Sequence, residues 1–326
     1  MRELVLILPD LFVQDDALAA EAACETSLRF APAQAVGGWR RLLARGLGRE
    51  ELGLLEPACV VAAATGAELD AWLATPLHWV AGLTTVHLPQ YGRLRLDTDE
   101  ARLLTEAFAR QFGADGLALK VCGSDFLLEG LGALAAQTAD PATLFGQSLR
   151  EQLPGGADGE VLRSLMSEIE MWLHGLPLNA QRSARGLPVI SSLWLWGGGV
   201  APRVAPQAEP APRRWSFVCS DDSWVAACAH LAQIEAIPLP LSYLEISSAA
   251  ISSEVDIAIA VTPTLPLGLA AIDERYVAPA AAALASGTLL KLTLVTTDRA
   301  CSVQSVDRWR WWRPRRKWWA TLMEQA

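Results

Sequence analysis

Asn179, Arg182 and Arg185 lie within seven residues of one another in "PLNAQRSARG", a stretch that leads into "LPVISSLWLWGGG". Guanidinium groups grip phosphate or carboxylate through paired N–H groups, and an amide adds both a donor and an acceptor. Three consecutive glycines, Gly197, Gly198 and Gly199, end the run, and their backbone N–H groups have no side chain in the way, which suits an anion nest. The same residues support a second reading. The arginines can pair with surface acids in a solvated connection, and glycines are required wherever φ is positive or two backbones pass closely. No helix start follows Gly199 directly, although a helix N-terminus normally completes a phosphate site. His174 precedes the cluster, at the end of a helical pattern and one turn after Glu170. A helix C-terminus favours a cation, so His174 reads as a capping residue and also as a ligand contact beside the arginines.

Other signatures are missing from the sequence. None of the three lysines follows a glycine, so there is no phosphate-binding G-x-x-x-x-G-K-[ST] loop, and neither G-x-G-x-x-G nor G-x-S-x-G occurs. His78, His87, His174 and His230 stand at no H-x-x-x-H or H-E-x-x-H spacing, so a local zinc clip is absent. The tail "DRWRWWRPRRKWW" offers Trp309, Arg310, Trp312, Arg313, Arg315 and Arg316 as a partner-binding set. Tryptophan interleaved with arginine can stack bases, lie on an anionic membrane or bind a protein. As an amphipathic closing segment it would instead bury Trp309, Trp312 and Trp319.

These residues need elements to hold them. "ELVLILP" reads as a buried first strand, turned at Pro9-Asp10, and "VGGWRRLLARGLG" as a helix. "ACVVAAATG" is ambiguous between strand and helix. From 77 to 130 short alternating segments, "TTVHLPQ", "GRLRLDT", "GLALKVCG" and "DFLLEG", flank the helix "DEARLLTEAFARQFGADG", which suits a compact antiparallel sheet with a covering helix. "DGEVLRSLMSEIEMWLHG" follows as a helix with Leu162, Leu165, Met166, Ile169 and Leu173 along one stripe, and "LWLW" as a strand. After a Pro/Ala-rich connection at 201–214, strands "WSFVCSDD", "VDIAIAVT" and "LLKLTLVTTD" alternate with helices, the pattern of a largely parallel α/β sheet. The expected organisation is a discontinuous α/β core, 1–76 and 181–326, with an inserted α+β lobe at 77–180.

With 326 residues, 52% hydrophobic and 19% charged, the chain can bury a large core. A net charge of −9 gives no general attraction to nucleic acid. The six cysteines are scattered without a C-x-x-C pair and read as buried residues of a reducing compartment. The N-terminal apolar run is too short for a signal peptide, and Pro263 and Pro266 break the longest later one. No membrane span and a cytoplasmic location are therefore expected.

"IEMWLHGLPLNAQRSARGLPVISSLWLWGGG", together with "DRWRWWRP", resembles the RpfE-type regulatory proteins of proteobacteria, often labelled cofactor-independent phosphoglycerate mutases. That family is distantly similar to the archaeal-type mutases of the alkaline-phosphatase-like fold. The resemblance implies an α/β core with an inserted substrate lobe. It places Asp10 and Asp298 on metal-binding aspartates, the only two that match. It also marks departures. Active mutases of this type use a serine nucleophile and two divalent metals. Here "TPTLPLG" follows Val261 without an acid or histidine, Arg299 stands where a histidine is expected, and Ser27 precedes the first helix in the wrong context. The expected function is thus a mutase-like scaffold without mutase chemistry, binding a small anionic ligand or a partner and needing no cofactor. One alternative is a phosphoryl-transfer enzyme with manganese or zinc, which would require His78, His87 and His174 to converge. A second is RNA or partner binding through the tail.

Overall fold

A computed structural model of the chain describes residues 1–9, 11, 26–82, 85–89, 91–145, 147–199, 212–261 and 268–323. Asp10 lies outside the described residues, as do 262–267 and most of the Pro/Ala-rich connection. Tertiary contacts divide the chain into two units, one made of Met1–Leu54 with Glu209–Ala326 and the other of Leu55–Ala208.

The first unit is built on a seven-stranded, mainly parallel sheet. Its order is Ala236–Ile237, Val218–Ser220, Ile257–Val261, Glu3–Ile7, Lys291–Val295, Arg299–Gln304 and Gln34–Ala35, with only the last two strands antiparallel to their neighbours. Glu3–Ile7 lies between two parallel strands, and Leu4 to Ile7 are buried. A strand covered on both faces has no solvent side, which is why "LVLI" is a continuous apolar run rather than an alternating one. Ile246 and Ala250 of the helix Tyr243–Ser252 share one core with Leu4, Leu6, Leu292 and Leu294. Tyr276, Val277, Ala280 and Leu284, from the helical run that ends at Ser286, complete it. Cys219, Cys228 and Cys301 are buried, and desolvation pushes their thiols up to about 12, so they act as small apolar side chains.

The second unit carries a four-stranded antiparallel sheet, Ser192–Trp196, Trp72–Leu77, Asp125–Glu129 and Ala118–Cys122 in that order. The helix Thr98–Phe112 starts on a capping box, in which Asp97 accepts from the Glu100 N–H and Glu100 accepts from the Asp97 N–H. Such a box satisfies two orphan donors of the first turn at once. Phe108 and Phe112 of this helix meet Trp172 edge-on, at centroid distances of 5.7 and 5.4 Å. Trp172 belongs to the helix Gly159–His174, in which Leu162, Met166, Ile169 and Leu173 of the expected stripe are buried and Leu165 is half-buried.

The ambiguous alanine-rich segment is a helix, Pro57–Thr65. Two expected elements differ. "RLRLD" is not a strand: it touches the sheet through one bridge, Leu77 to Arg93, with His78 N–H donating to Gly92 O (2.7 Å) and Leu94 N–H to Pro76 O (2.9 Å). Asp125–Glu129 pairs with Trp72–Leu77 over residues 72–74, so this segment covers the far end of Trp72–Leu77, and its alternation reflects that edge position. "PLNAQRSA" is not a solvated connection but a second helix, Pro177–Ala184. Pro177 at its start needs no N–H donor and presets φ, and Gly186 at φ 70° follows its end. "LWLW" is a fully buried strand, and it pairs with Trp72–Leu77 in this second sheet.

Candidate functional site

Folding 177–184 into a helix decides where its polar side chains go. Asn179 turns inward. Its Nδ2 donates to Leu173 O (2.8 Å) and Ile190 O (2.9 Å), and its Oδ1 accepts from Ile190 N–H (2.7 Å). The side chain therefore ties the end of one helix to the start of the tryptophan strand. Arg182, one turn on, is also buried. Its Nη1 lies 2.5 Å from Glu100 Oε2 and its Nε donates to Pro188 O (2.8 Å). Arg185 reaches the other oxygen of Glu100 at 3.4 Å from an exposed position. The structure thus brings the two arginines together on a carboxylate of the chain itself.

The glycines serve close packing. Gly197, at φ 63°, accepts from Ala58 N–H in the first turn of Pro57–Thr65, and a Cβ there would touch the Pro57 ring at 3.1 Å. A Cβ on Gly198 would fall 2.4 Å from the Trp72 ring. Gly199 has φ 144°, open to glycine and rarely adopted by other residues. These backbone demands account for the run at the end of the strand.

A cleft of about 440 Å³ lies against the same elements, lined by Glu170, His174, Leu176, Pro177, Ile190 and Ser191 among others. Burial pushes the Glu170 carboxyl up, opposed by a hydrogen bond with Ser192. His174 is exposed at the helix end, and Ser191 Oγ stands 3.5 Å from His78 Nδ1. The cleft is lined mainly by apolar side chains, and Glu170, His174, Asn179 and Ser191 are among its polar groups. Sequence reasoning singled out His174 but not Glu100 or the Glu170 cleft. For Glu100 the D-x-x-E spacing of a capping box was the available signal.

In the first unit the strands' carboxyl ends, where open α/β sheets place their ligands, carry Ser220, Asp221, Asp222 and Asp298. Asp222 caps the helix Ser223–Leu231 by accepting from Trp224 and Val225 N–H, and Asp221 accepts from Leu239 N–H (2.9 Å). Asp298 is exposed in the turn before Arg299. Among the described residues no three His, Cys, Asp or Glu side chains gather where they could hold a metal ion. His78 Nδ1 lies 2.9 Å from Val189 O, and His87 pairs with Val80 in a short hairpin. The described residues therefore do not fit a two-metal centre.

The tail corrects another expectation. Trp309 and Trp312 are 71% and 65% exposed, not buried, whereas Trp319 is buried together with Trp318. Pro314 separates the two groups. After it, Arg316–Lys317 pairs with Ser27–Leu28, and the helix Trp318–Met323 packs Trp318, Trp319 and Leu322 onto the sheet's core. Arg310 and Arg313 contact Asp307 at 3.0 and 3.3 Å, and Arg313 O accepts from Arg29.

Fold and site together define a mixed α/β protein with a mainly parallel sheet flanked by helices and a second α+β unit set into the chain. No protein-family model matches it. The chain is similar to the 2,3-bisphosphoglycerate-independent phosphoglycerate mutase of Methanosarcina barkeri, with 29% identity over 126 residues. It is likewise similar to the probable enzyme of that name from Geobacter sulfurreducens, with 31% over 123 residues. Each match covers 37% of this chain and 31% of the relative, so it spans about a third of those proteins' length. Among solved structures, a cofactor-independent phosphoglycerate mutase from Thermoplasma acidophilum aligns over 100% of this chain and 96% of its own, with a TM-score of 0.43 and 13% identity. The chain is a distant relative of the cofactor-independent phosphoglycerate mutases. No helix among the described residues is long and apolar enough to cross a membrane.

Proposed function

We propose that this protein is an RpfE-type, non-catalytic binding or regulatory protein on an alkaline-phosphatase-like scaffold, one that holds a small ligand instead of transferring a phosphoryl group. The observation that carries the reading is Arg299, which follows Asp298 and opens the strand Arg299–Gln304, where the resemblance calls for a metal-binding histidine. A guanidinium has no lone pair to offer a metal and stays charged, so it raises the cost of a divalent cation beside it. The sequence from 262 to 267, "TPTLPL", which follows the strand Ile257–Val261, adds no acid or histidine. Two-metal phosphoryl transfer needs both ions held and a nucleophile oriented. The ligand's seat in this reading is the Glu170–His174 cleft, because Asn179 and Arg182 are engaged within the chain.

The test is elemental metal content of tag-free protein purified without chelator, paired with a phosphoglycerate mutase assay in added manganese. Metal well below one equivalent and no turnover are expected. Two equivalents of manganese or zinc with turnover would overturn the reading and return the protein to the enzymes.

A further inference from the structure

The tail segment between the last sheet strand and the closing helix bears an unusual surface. Trp309, Trp311 and Trp312 are 71%, 80% and 65% exposed, and Leu290 and Val306 beside them are 45% and 54% exposed. Ser305 N–H donates to Leu290 O at 2.9 Å, which ties the backbone at Leu290 to the turn Ser305–Trp309 that carries Val306. Isolated exposed apolar side chains are ordinary, but four within residues 306–312, with Leu290 tied to that stretch through Ser305, mark an interaction surface.

The segment is held in shape. Asp307 accepts from Gln304 N–H (2.8 Å) and takes ion pairs from Arg310 and Arg313, while Arg310 N–H bonds to Asp307 O and Arg313 N–H to Arg310 O. The tryptophans therefore project from a fixed turn. Around them the charge is one-sided: residues 307–317 hold six basic side chains and one acid, in a chain whose net charge is −9.

We propose that this turn docks the protein on an anionic lipid surface, the tryptophans and aliphatic residues entering the headgroup region and the arginines meeting lipid phosphates and carboxylates. Tryptophan prefers the membrane interface, where one end of the ring is apolar and the other wet, and basic side chains beside it add attraction to anionic lipid. Three observations favour lipid over single-stranded nucleic acid. Trp311 and Trp312 stand edge to face at 82°, so they offer no parallel faces for successive stacked bases. Arg308 already covers the Trp309 ring at 5.2 Å. Leu290 and Val306 gain nothing from a base, but they do gain from leaving water. The acidic remainder of the chain is repelled by the same surface, which fixes the orientation of docking. This inference is independent of the ligand-binding reading above.

The experiment is co-sedimentation of the full chain with phosphatidylcholine vesicles, with and without phosphatidylserine. Binding is expected only to the serine-containing vesicles, and it should fall at least tenfold in 1 M salt, where the Debye length is about 3 Å. A Trp309→Ser/Trp311→Ser/Trp312→Ser variant should lose binding at least tenfold and keep the parent's melting temperature, because all three side chains face solvent. Arg308→Gln/Arg315→Gln, which leaves the Asp307 pairs in place, should weaken binding severalfold and serves if the first variant folds poorly. Absent vesicle binding, or binding that both variants retain, would overturn the proposal. So would binding to a uridine homopolymer, or self-association, that is lost in the tryptophan variant while vesicles are ignored.

Discussion

Replacing Arg182 with alanine separates an anchor from a ligand contact. The Arg182 side chain is 4% exposed and that of Glu100 7%, with 2.5 Å between Nη1 and Oε2. Removing one partner of such a pair leaves a buried charge uncompensated, a loss of roughly 3–5 kcal/mol. Arg185 offers little relief from 3.4 Å and a 58% exposed side chain. The Pro188 carbonyl also loses its Nε donor. At about 2–4 °C per kcal/mol for a unit of this size, Tm should fall by about 6–20 °C. Arg185→Ala, which removes a solvent-screened contact, should cost about 0–1 kcal/mol. Glu100→Gln/Arg182→Met, which removes both charges, should cost less than Arg182→Ala alone, since no lone charge remains. Calorimetry on the four proteins provides the measurement. An Arg182→Ala variant that melts with the parent but no longer binds inorganic phosphate would refute the anchoring argument and make the arginines an anion site.

Two further outcomes follow from the second unit. Burial holds the Glu170 carboxyl above its ordinary value of 4.5, so the folded state binds more protons than the unfolded one between the two values. Stability should therefore decline as pH rises from the unfolded value through the raised folded one, and Glu170→Gln should flatten that decline in urea titrations; parallel profiles for the two proteins would sink the assignment. Gly198→Ala would press a methyl into the Trp72 ring, with 2.4 Å available, and should cost roughly 1–3 kcal/mol by overpacking, so an unchanged urea midpoint would count against the close-packing role of the glycines.

Local pattern was enough to show much of this protein. Continuous apolar runs at 4–7 and 257–261 mark strands buried on both faces, and the spacing of Leu162, Met166, Ile169 and Leu173 marks a helix with one buried stripe. Arg299 and the acid-free "TPTLPL" are likewise plain in the sequence, and they bear on the reaction without coordinates. What the sequence by itself determined is what near neighbours encode: periodicity, turn chemistry and the residue types present. The tertiary structure alone decided who meets whom. Arg182 finds Glu100 across 82 residues of chain, a pairing no local spacing records. The glycines meet Pro57 and Trp72 because two distant segments cross there, which removes the need for an anion to explain them. In one tail of similar composition, Trp318 and Trp319 go into the core while Trp309, Trp311 and Trp312 stay outside. The division arises because strand pairing at Arg316–Lys317 and the helix after it turn only the last part of the chain onto apolar surface.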